Sequence, residues 1–171
     1  MGLMQTHSRP INHIGISVED IEAFTSWYTD NLGFELIGGK IIHARRSETP
    51  SAPIFAIYGQ SLKEVKIAFM TTGNGVGFEV FQFIDPAFVA AASDPAVGEF
   101  AYHRGGLFHI CVTDKNPDAL ADRIVAAGGS RMGTTVQLVG GIVCLYAKDP
   151  WGNVVEVLDH SFERLTTLGT Q

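Results

Sequence analysis

The chain repeats itself. The stretch INHIGISVEDIEAFTSWYTDNLGFEL, from Ile11, realigns at an offset of 96 residues with LFHICVTDKNPDALADRIVAAGGSRM, from Leu107. His13 falls on His109, Ile14 on Ile110, Ile16 on Val112, Ala23 on Ala119, Phe24 on Leu120 and Gly33 on Gly129. Such self-similarity restricts the fold to one that builds the same supersecondary unit twice. In each copy an alternating strand runs into an acidic or Asn/Pro turn and then into a helix that ends at glycine.

Helical spacing supports the second element. From Ile21, apolar residues recur at Phe24, Trp27, Tyr28 and Leu32, with Gly33 as the stop. In the second copy Leu120, Ile124 and Ala127 share a face, Pro117 suits the first turn, and Gly128-Gly129 ends the helix. Extended segments follow. In the second half these are SRMGTTVQLVG, GIVCLYAKD and NVVEVLDH, the last two joined by the tight turn DPWGN. In the first half the late strands are VKIAFMTT and GFEVFQF. The expected class is therefore α+β, with two βαβββ modules. The first spans 10–84 with an insertion near 45–64 that holds one short helical turn. An Ala-rich linker over 85–104, with a short helix of its own, leads to the second module at 105–160 and a tail at 161–171.

With 171 residues, 46% of them hydrophobic, the chain can bury a substantial core. Twelve Lys and Arg stand against 18 Asp and Glu, a net charge of -6, and no basic run is long enough to follow a phosphate backbone, which excludes nucleic acid as an expected partner. No segment approaches the ~18 apolar residues of a membrane span, and the first residues carry no apolar core of signal-peptide length. No membrane association and cytoplasmic residence are the expectations. Cys111 and Cys144 lack zinc spacing and are read as free thiols on strands.

Strand alternation sorts the candidate functional residues. Ile14, Ile16 and Val18 form the face that a helix covers, leaving His13, Gly15 and Ser17 opposite. In the repeat, Phe108, Ile110 and Val112 leave His109, Cys111 and Thr113 opposite. The last strand of each half carries one carboxylate among apolar neighbours, Glu79 and Glu156. Taken singly, such a His is more often a satisfied core residue and such a Glu more often solvated. The repetition changes that weighting. Were the halves to pack as pseudo-symmetric sheets, two His and two Glu would converge, and burying both carboxylates costs several kcal/mol unless a cation sits between them. A divalent metal ion is the simplest such cation.

These segments, HIGISVED and HICVTD opening the modules and FEVFQF and DPWGNVVEV closing them, resemble the vicinal oxygen chelate superfamily, which includes glyoxalase I, methylmalonyl-CoA epimerase, extradiol dioxygenases and fosfomycin- and bleomycin-resistance proteins. The resemblance covers residues 10 to 160. It implies a pseudo-twofold pairing of modules into a curved mixed sheet around a cavity. It also implies metal ligands at His13, Glu79, His109 and Glu156, catalytic roles for Glu156 and Glu79, and a homodimer. The insertion after Arg46 and the long linker depart from compact glyoxalases and weigh against a glutathione-type substrate.

Nitrogen and oxygen ligands without thiolate suit one ion of Ni, Co, Mn, Fe or Zn. Four protein ligands leave two octahedral positions for a small-molecule substrate with two adjacent oxygens, whose enediolate or enolate the metal stabilises as a Lewis acid. A lyase or isomerase of the glyoxalase or epimerase type is the leading expectation. An extradiol-type Fe(II) dioxygenase and a metal-free drug-binding protein are the alternatives. Tyr102, His103 and Arg104, the set His43, Arg45 and Arg46, and His160 are weaker site candidates, each more simply a solvated polar residue.

Overall fold

The computed structural model describes residues 9–90, 102 and 105–168. The chain divides into two units, residues 1–92 and 93–171. In the first, β1 (His13–Ser17) leads to α1 (Ile21–Leu32), β2 (Glu35–Leu36), β3 (Ile42–Arg45), α2 (Pro53–Tyr58), β4 (Glu64–Thr71) and β5 (Gly77–Asp85). In the second, β6 (Ile110–Thr113) leads to α3 (Pro117–Ala126), β7 (Ser130–Gln137), β8 (Val143–Lys148), β9 (Val154–Leu158) and α4 (Phe162–Leu168). The class is α+β, and both units run strand, helix, then antiparallel strands. The short helix expected in the linker falls mainly on residues 91–101, outside the described residues. Among the described residues no helix is long and apolar enough to cross a membrane.

The two sheets share one plan. The first has the order β1-β5-β4-β2, with β3 also paired to β4; the second has the order β6-β9-β8-β7. The opening strand of each module lies parallel to its closing strand, β1 on β5 and β6 on β9, and the remaining pairings are antiparallel. A parallel neighbour requires a crossover, which α1 and α3 begin.

Each helix is specified by its ends and one face. The Asp20 side chain accepts from the Ala23 amide at 3.0 Å to open α1, and Gly33, at φ 71, closes it in a left-handed conformation that glycine adopts at little cost. Ile21, Phe24 and Tyr28 are wholly buried, with Phe24 stacked on Tyr28 at 4.2 Å and Tyr28 against Phe78 of β5 at 5.5 Å. Asn116 and Pro117 open α3, whose Ala121 and Ile124 are buried. The positive φ after α3 belongs to Gly128, one residue before the glycine that the repeat aligns with Gly33. Gly129 is needed for another reason: a Cβ there would stand 2.3 Å from the Lys148 carbonyl.

The opposite face of each sheet is partly covered by a segment that lies outside the repeat. In the first unit the insertion supplies Phe55 and Leu62, which bury Ile67 of β4 and Phe81 of β5. Arg46 pins this insertion by donating to the carbonyls of Leu62 (2.8 Å), Phe55 (3.3 Å) and Gly59 while lying over the Phe55 ring. In the second unit Leu165 of α4 packs on Cys144 of β8 and Leu158 of β9. Ile67 pairs with Phe81 and Cys144 with Leu158, which are the same cross-strand row of the two modules. Two unrelated additions therefore cap equivalent rows, and the row beyond each cap is the one that carries the glutamate.

Candidate metal centre

His13 opens β1, and Glu79 lies on the neighbouring strand β5, where the parallel register sets Gly15 beside Glu79. The imidazole Nε2 is 3.3 Å from Glu79 Oε2. In the second unit His109 immediately precedes β6, and Cys111 is registered beside Glu156. Here Nε2 is 3.2 Å from Glu156 Oε2. The structure thus brings His13 to Glu79 in the first unit and His109 to Glu156 in the second, two matched pairs of sequence-predicted residues. Among the described residues no group of three or more His, Cys, Asp and Glu is arranged to hold a metal ion.

Each pair is suited to supply two ligand atoms. Atoms ~2.1 Å from one ion and at right angles to each other are ~3.0 Å apart, close to both observed separations. The orientation of the His13 ring agrees with this role. Its Nδ1 lies 2.8 Å from Asn12 Oδ1, which only accepts, so Nδ1 donates there and Nε2 is the ring nitrogen that faces Glu79. His109 Nδ1 is buried and has no hydrogen-bond partner among the described residues, and its ring is held edge-on by Phe108 and Tyr146.

The two carboxylates have different neighbours. Around Glu156 the equivalent sheet positions hold Cys111 on β6, Tyr146 directly across on β8, and Cys144 diagonal to it. The Cys144 thiol donates to Glu156 Oε1 at 3.3 Å, and the Cys111 thiol donates to the Val112 carbonyl at 3.8 Å. Burial, followed by the Glu156 charge, pushes the Cys111 thiol up to about 12. Burial and the same carboxylate push Cys144 up to about 12 and Tyr146 above its ordinary value. Around Glu79 the corresponding places are Gly15, Phe69 and Ile67. A pocket of about 210 Å³ opens beside His13 and Glu79, walled by Ile37, Phe69, Met70 and Phe78.

The other candidates serve structure. His43 Nε2 is 2.7 Å from Glu64 Oε1 and its Nδ1 is 3.0 Å from Arg45, so both ring nitrogens are occupied; the His43 hydrogen bond holds the Glu64 carboxyl below its usual range. His160 lies beyond β9 and pairs with Asp159 at 2.7 Å. Tyr102 is exposed, while His103 and Arg104 lie outside the described residues. Sequence reasoning missed Asn12 and Tyr146. The signal for Tyr146 lay in a second offset, 77 residues, which relates Glu79 to Glu156 and also Phe69 to Tyr146.

Known structures share this architecture. A glyoxalase family protein from Bacillus cereus superposes with a TM-score of 0.71 at 18% identity, over 92% of this chain and 97% of that one. A fosfomycin resistance protein from Listeria monocytogenes, complexed with Mn(II) and a dihydroxypropylphosphonic acid, gives 0.56 at 16%, over 92% and 98%. A glyoxalase I mutant from Zea mays gives 0.55 at 17%, over 88% of this chain and 45% of that one. These are likenesses of fold. No curated protein matches. The sequence profile of the Glyoxalase/Bleomycin resistance protein/Dioxygenase superfamily matches residues 10–157, nearly the whole of both modules and all four paired residues. By that match the chain belongs to this superfamily.

Proposed function

We propose that the protein is a divalent-metal-dependent lyase or isomerase of the glyoxalase type, acting on a compact substrate with two adjacent oxygens. His13, Glu79, His109 and Glu156 are its metal ligands, two from each unit. The observation that carries this reading is the pair of matched His–Glu contacts, 3.3 and 3.2 Å, at equivalent places of the repeat.

When bound, a divalent ion supplies a Lewis acid for a carbonyl or hydroxyl oxygen. The chain's own residues do the rest. Asn12 holds His13 in the tautomer that leaves Nε2 free to bind. Ile37, Phe69 and Phe78 give the pocket apolar walls that strip water from a bound substrate. The cap of Phe55 and Leu62 over Ile67 and Phe81 closes the face one row below Glu79, which favours small substrates. Glu79 and Glu156 are the groups that take and return the substrate proton.

Elemental analysis after dialysis, followed by titration with Ni, Co, Mn, Fe and Zn, tests the metal. About one ion per chain is expected, and no stoichiometric binding of any of them would sink the reading. Exchange of a substrate C–H proton with deuterated solvent, on hemithioacetal, 2-acyl-CoA and catechol panels, tests the chemistry. Activity confined to catechols, with ferrous iron and oxygen, would replace the lyase by a dioxygenase. The uncovered rows, in which Phe69 is 40% exposed and Ile37 52%, support pairing of copies as a symmetric homodimer, the commonest oligomer. Light scattering at a mass near 18.5 kDa would refute that assembly.

A further inference from the structure

Of the five asparagines in the chain, four are held by a partner or followed by a residue that hinders attack on the side-chain amide. Asn12 Oδ1 accepts from His13 Nδ1 at 2.8 Å, and Asn31, in the last turn of α1, donates to the Trp27 carbonyl at 2.9 Å. Asn116 precedes Pro117, which has no amide proton. Asn153 donates to Asp149 Oδ2 at 2.8 Å and precedes the β-branched Val154. Asn74 is different. It is exposed in the loop 72–76 that joins β4 to β5, and it precedes an exposed glycine, Gly75, at φ 87 with nothing within 4 Å of the place a Cβ would take. The Val76 amide donates to Asn74 Oδ1 at 3.0 Å. Such a turn folds the side chain back over the peptide that follows it, and the bond draws electrons from Cγ. Neither Asn74 Nδ2 nor the Gly75 amide has a hydrogen-bond partner among the described residues.

We propose that Asn74–Gly75 is a site of spontaneous deamidation and isomerisation, and that the isoaspartate formed there disturbs the seat of His13. Hydroxide or a buffer base removes the Gly75 amide proton, and that nitrogen attacks Asn74 Cγ. The Cγ–Nδ2 bond breaks, ammonia leaves and a cyclic succinimide closes. Water then opens the ring. Attack at the side-chain carbonyl gives aspartate, and attack at the main-chain carbonyl gives isoaspartate, whose main chain runs through Cβ. One water is consumed, one ammonia is released, and nothing is oxidised or reduced. Gly75 suits the step because no Cβ blocks the approach and its backbone turns at little steric cost. The consequence follows from the register. Thr71 pairs with Gly77 across this loop, and the Gly77 amide donates to the Asn12 carbonyl at 2.8 Å. Gly77 also faces His13, with room for its Cβ only because glycine has none. A loop lengthened by one carbon is taken up between Thr71 and Gly77, beside the histidine. None of these steps depends on a bound metal.

The test is ageing of the full chain in mildly alkaline buffer without added metal, beside the same chain unfolded in urea. Peptide mass spectrometry and labelling by an isoaspartyl methyltransferase read each asparagine. In the folded chain Asn74 should convert to the acid at a rate close to that in urea, ahead of Asn12, Asn31, Asn116 and Asn153. Asn74→Gln should lose the methyl labelling of that peptide. An Asn74 that stays intact in the folded chain while it converts in urea would overturn the site. Freshly prepared Asn74→Asp carries the added charge without the added carbon, and so separates the two effects on His13. The nitrogen-15 ring signals of His13 should shift further in the isoaspartate form, isolated by chromatography, than in Asn74→Asp, while those of His43 stay in place. Equal shifts in the two forms, or none in either, would overturn the coupling to His13.

Discussion

Gly77 faces His13 across the β1–β5 pair, and a Cβ built on Gly77 would stand 3.1 Å from the His13 Cβ. The glycine thus leaves space for the imidazole at the start of the strand. Gly77→Ala forces that neighbour to give by a few tenths of an ångström. The backbone of Gly77 is not in the left-handed region, so the fold should tolerate the change, with a stability loss of about 1 kcal/mol or less. The His13–Glu79 pair should be disturbed more than the fold. Metal affinity should fall severalfold while the urea midpoint moves little. An unchanged affinity would show that the spacing here is not critical.

The caps predict a division between stability and specificity. Phe55 is 2% exposed at the centre of the insertion's contact with Ile67 and Phe81, so Phe55→Ala should cost about 3 kcal/mol in urea unfolding. Leu165 is only partly buried on Cys144 and Leu158, and Leu165→Ala should cost about 1 kcal/mol. Either change opens the row below a glutamate. The ratio of activity on a glutathione hemithioacetal to activity on a 2-mercaptoethanol hemithioacetal should rise in both variants. A ratio that stays fixed would mean that the caps stabilise without selecting.

Much of this architecture was legible because its signals are local. Asp20 and Gly33 bracket α1, the 96-residue offset displays the opening strand and helix twice, and Glu79 and Glu156 stand out as lone charges in apolar strands. What escaped depends on contacts distant in sequence. The insertion shifts the late strands to a 77-residue offset, which hides the correspondence of Phe69 with Tyr146 until the register of β4 and β8 is known. The tail reads as a polar end because α4 has only seven residues, too few for an apolar face to declare itself, and Leu165 gains meaning only against Cys144. Asn12 was unremarkable until its side chain met His13.

Alkaline solution should loosen the second unit. The thiols of Cys111 and Cys144 are raised to about 12 by burial and by Glu156, whereas an unfolded thiol titrates near ~8.5. Above that lower value the unfolded chain holds fewer protons than the folded one, so stability falls as pH rises. The stabilising contribution is complete below about pH 8.5 and is lost progressively toward pH 12. Tyr146, also raised, adds to the loss at the upper end. The urea midpoint should therefore hold between neutral pH and about 8 and then decline. In a Cys111→Ser/Cys144→Ser chain the decline should be shallower, because those two groups no longer titrate. Parallel curves for the two proteins would disprove the assignment.

Asn12 gives the sharpest test of the histidine's orientation. Its Oδ1 accepts from His13 Nδ1 at 2.8 Å, which orients the ring with Nε2 toward the carboxylate 3.3 Å away. Asn12→Ala removes that acceptor without touching either proposed ligand. His13 can then carry its proton on either nitrogen, and the ring is free to turn about its bond to the backbone. Loss of such an outer partner typically costs ~10–100-fold in metal affinity. Asn12→Asp keeps an acceptor at the same place and should retain affinity, with added negative charge favouring the cation. The measurement is Co(II) affinity of the three proteins at one pH. Nitrogen-15 spectra of His13 should show the proton on Nδ1 in the unaltered chain and in Asn12→Asp, and a tautomer mixture in Asn12→Ala. If Asn12→Ala keeps both the affinity and the tautomer, this hydrogen bond does not organise the site, and the pairing of His13 with Glu79 must be set by the strand register alone.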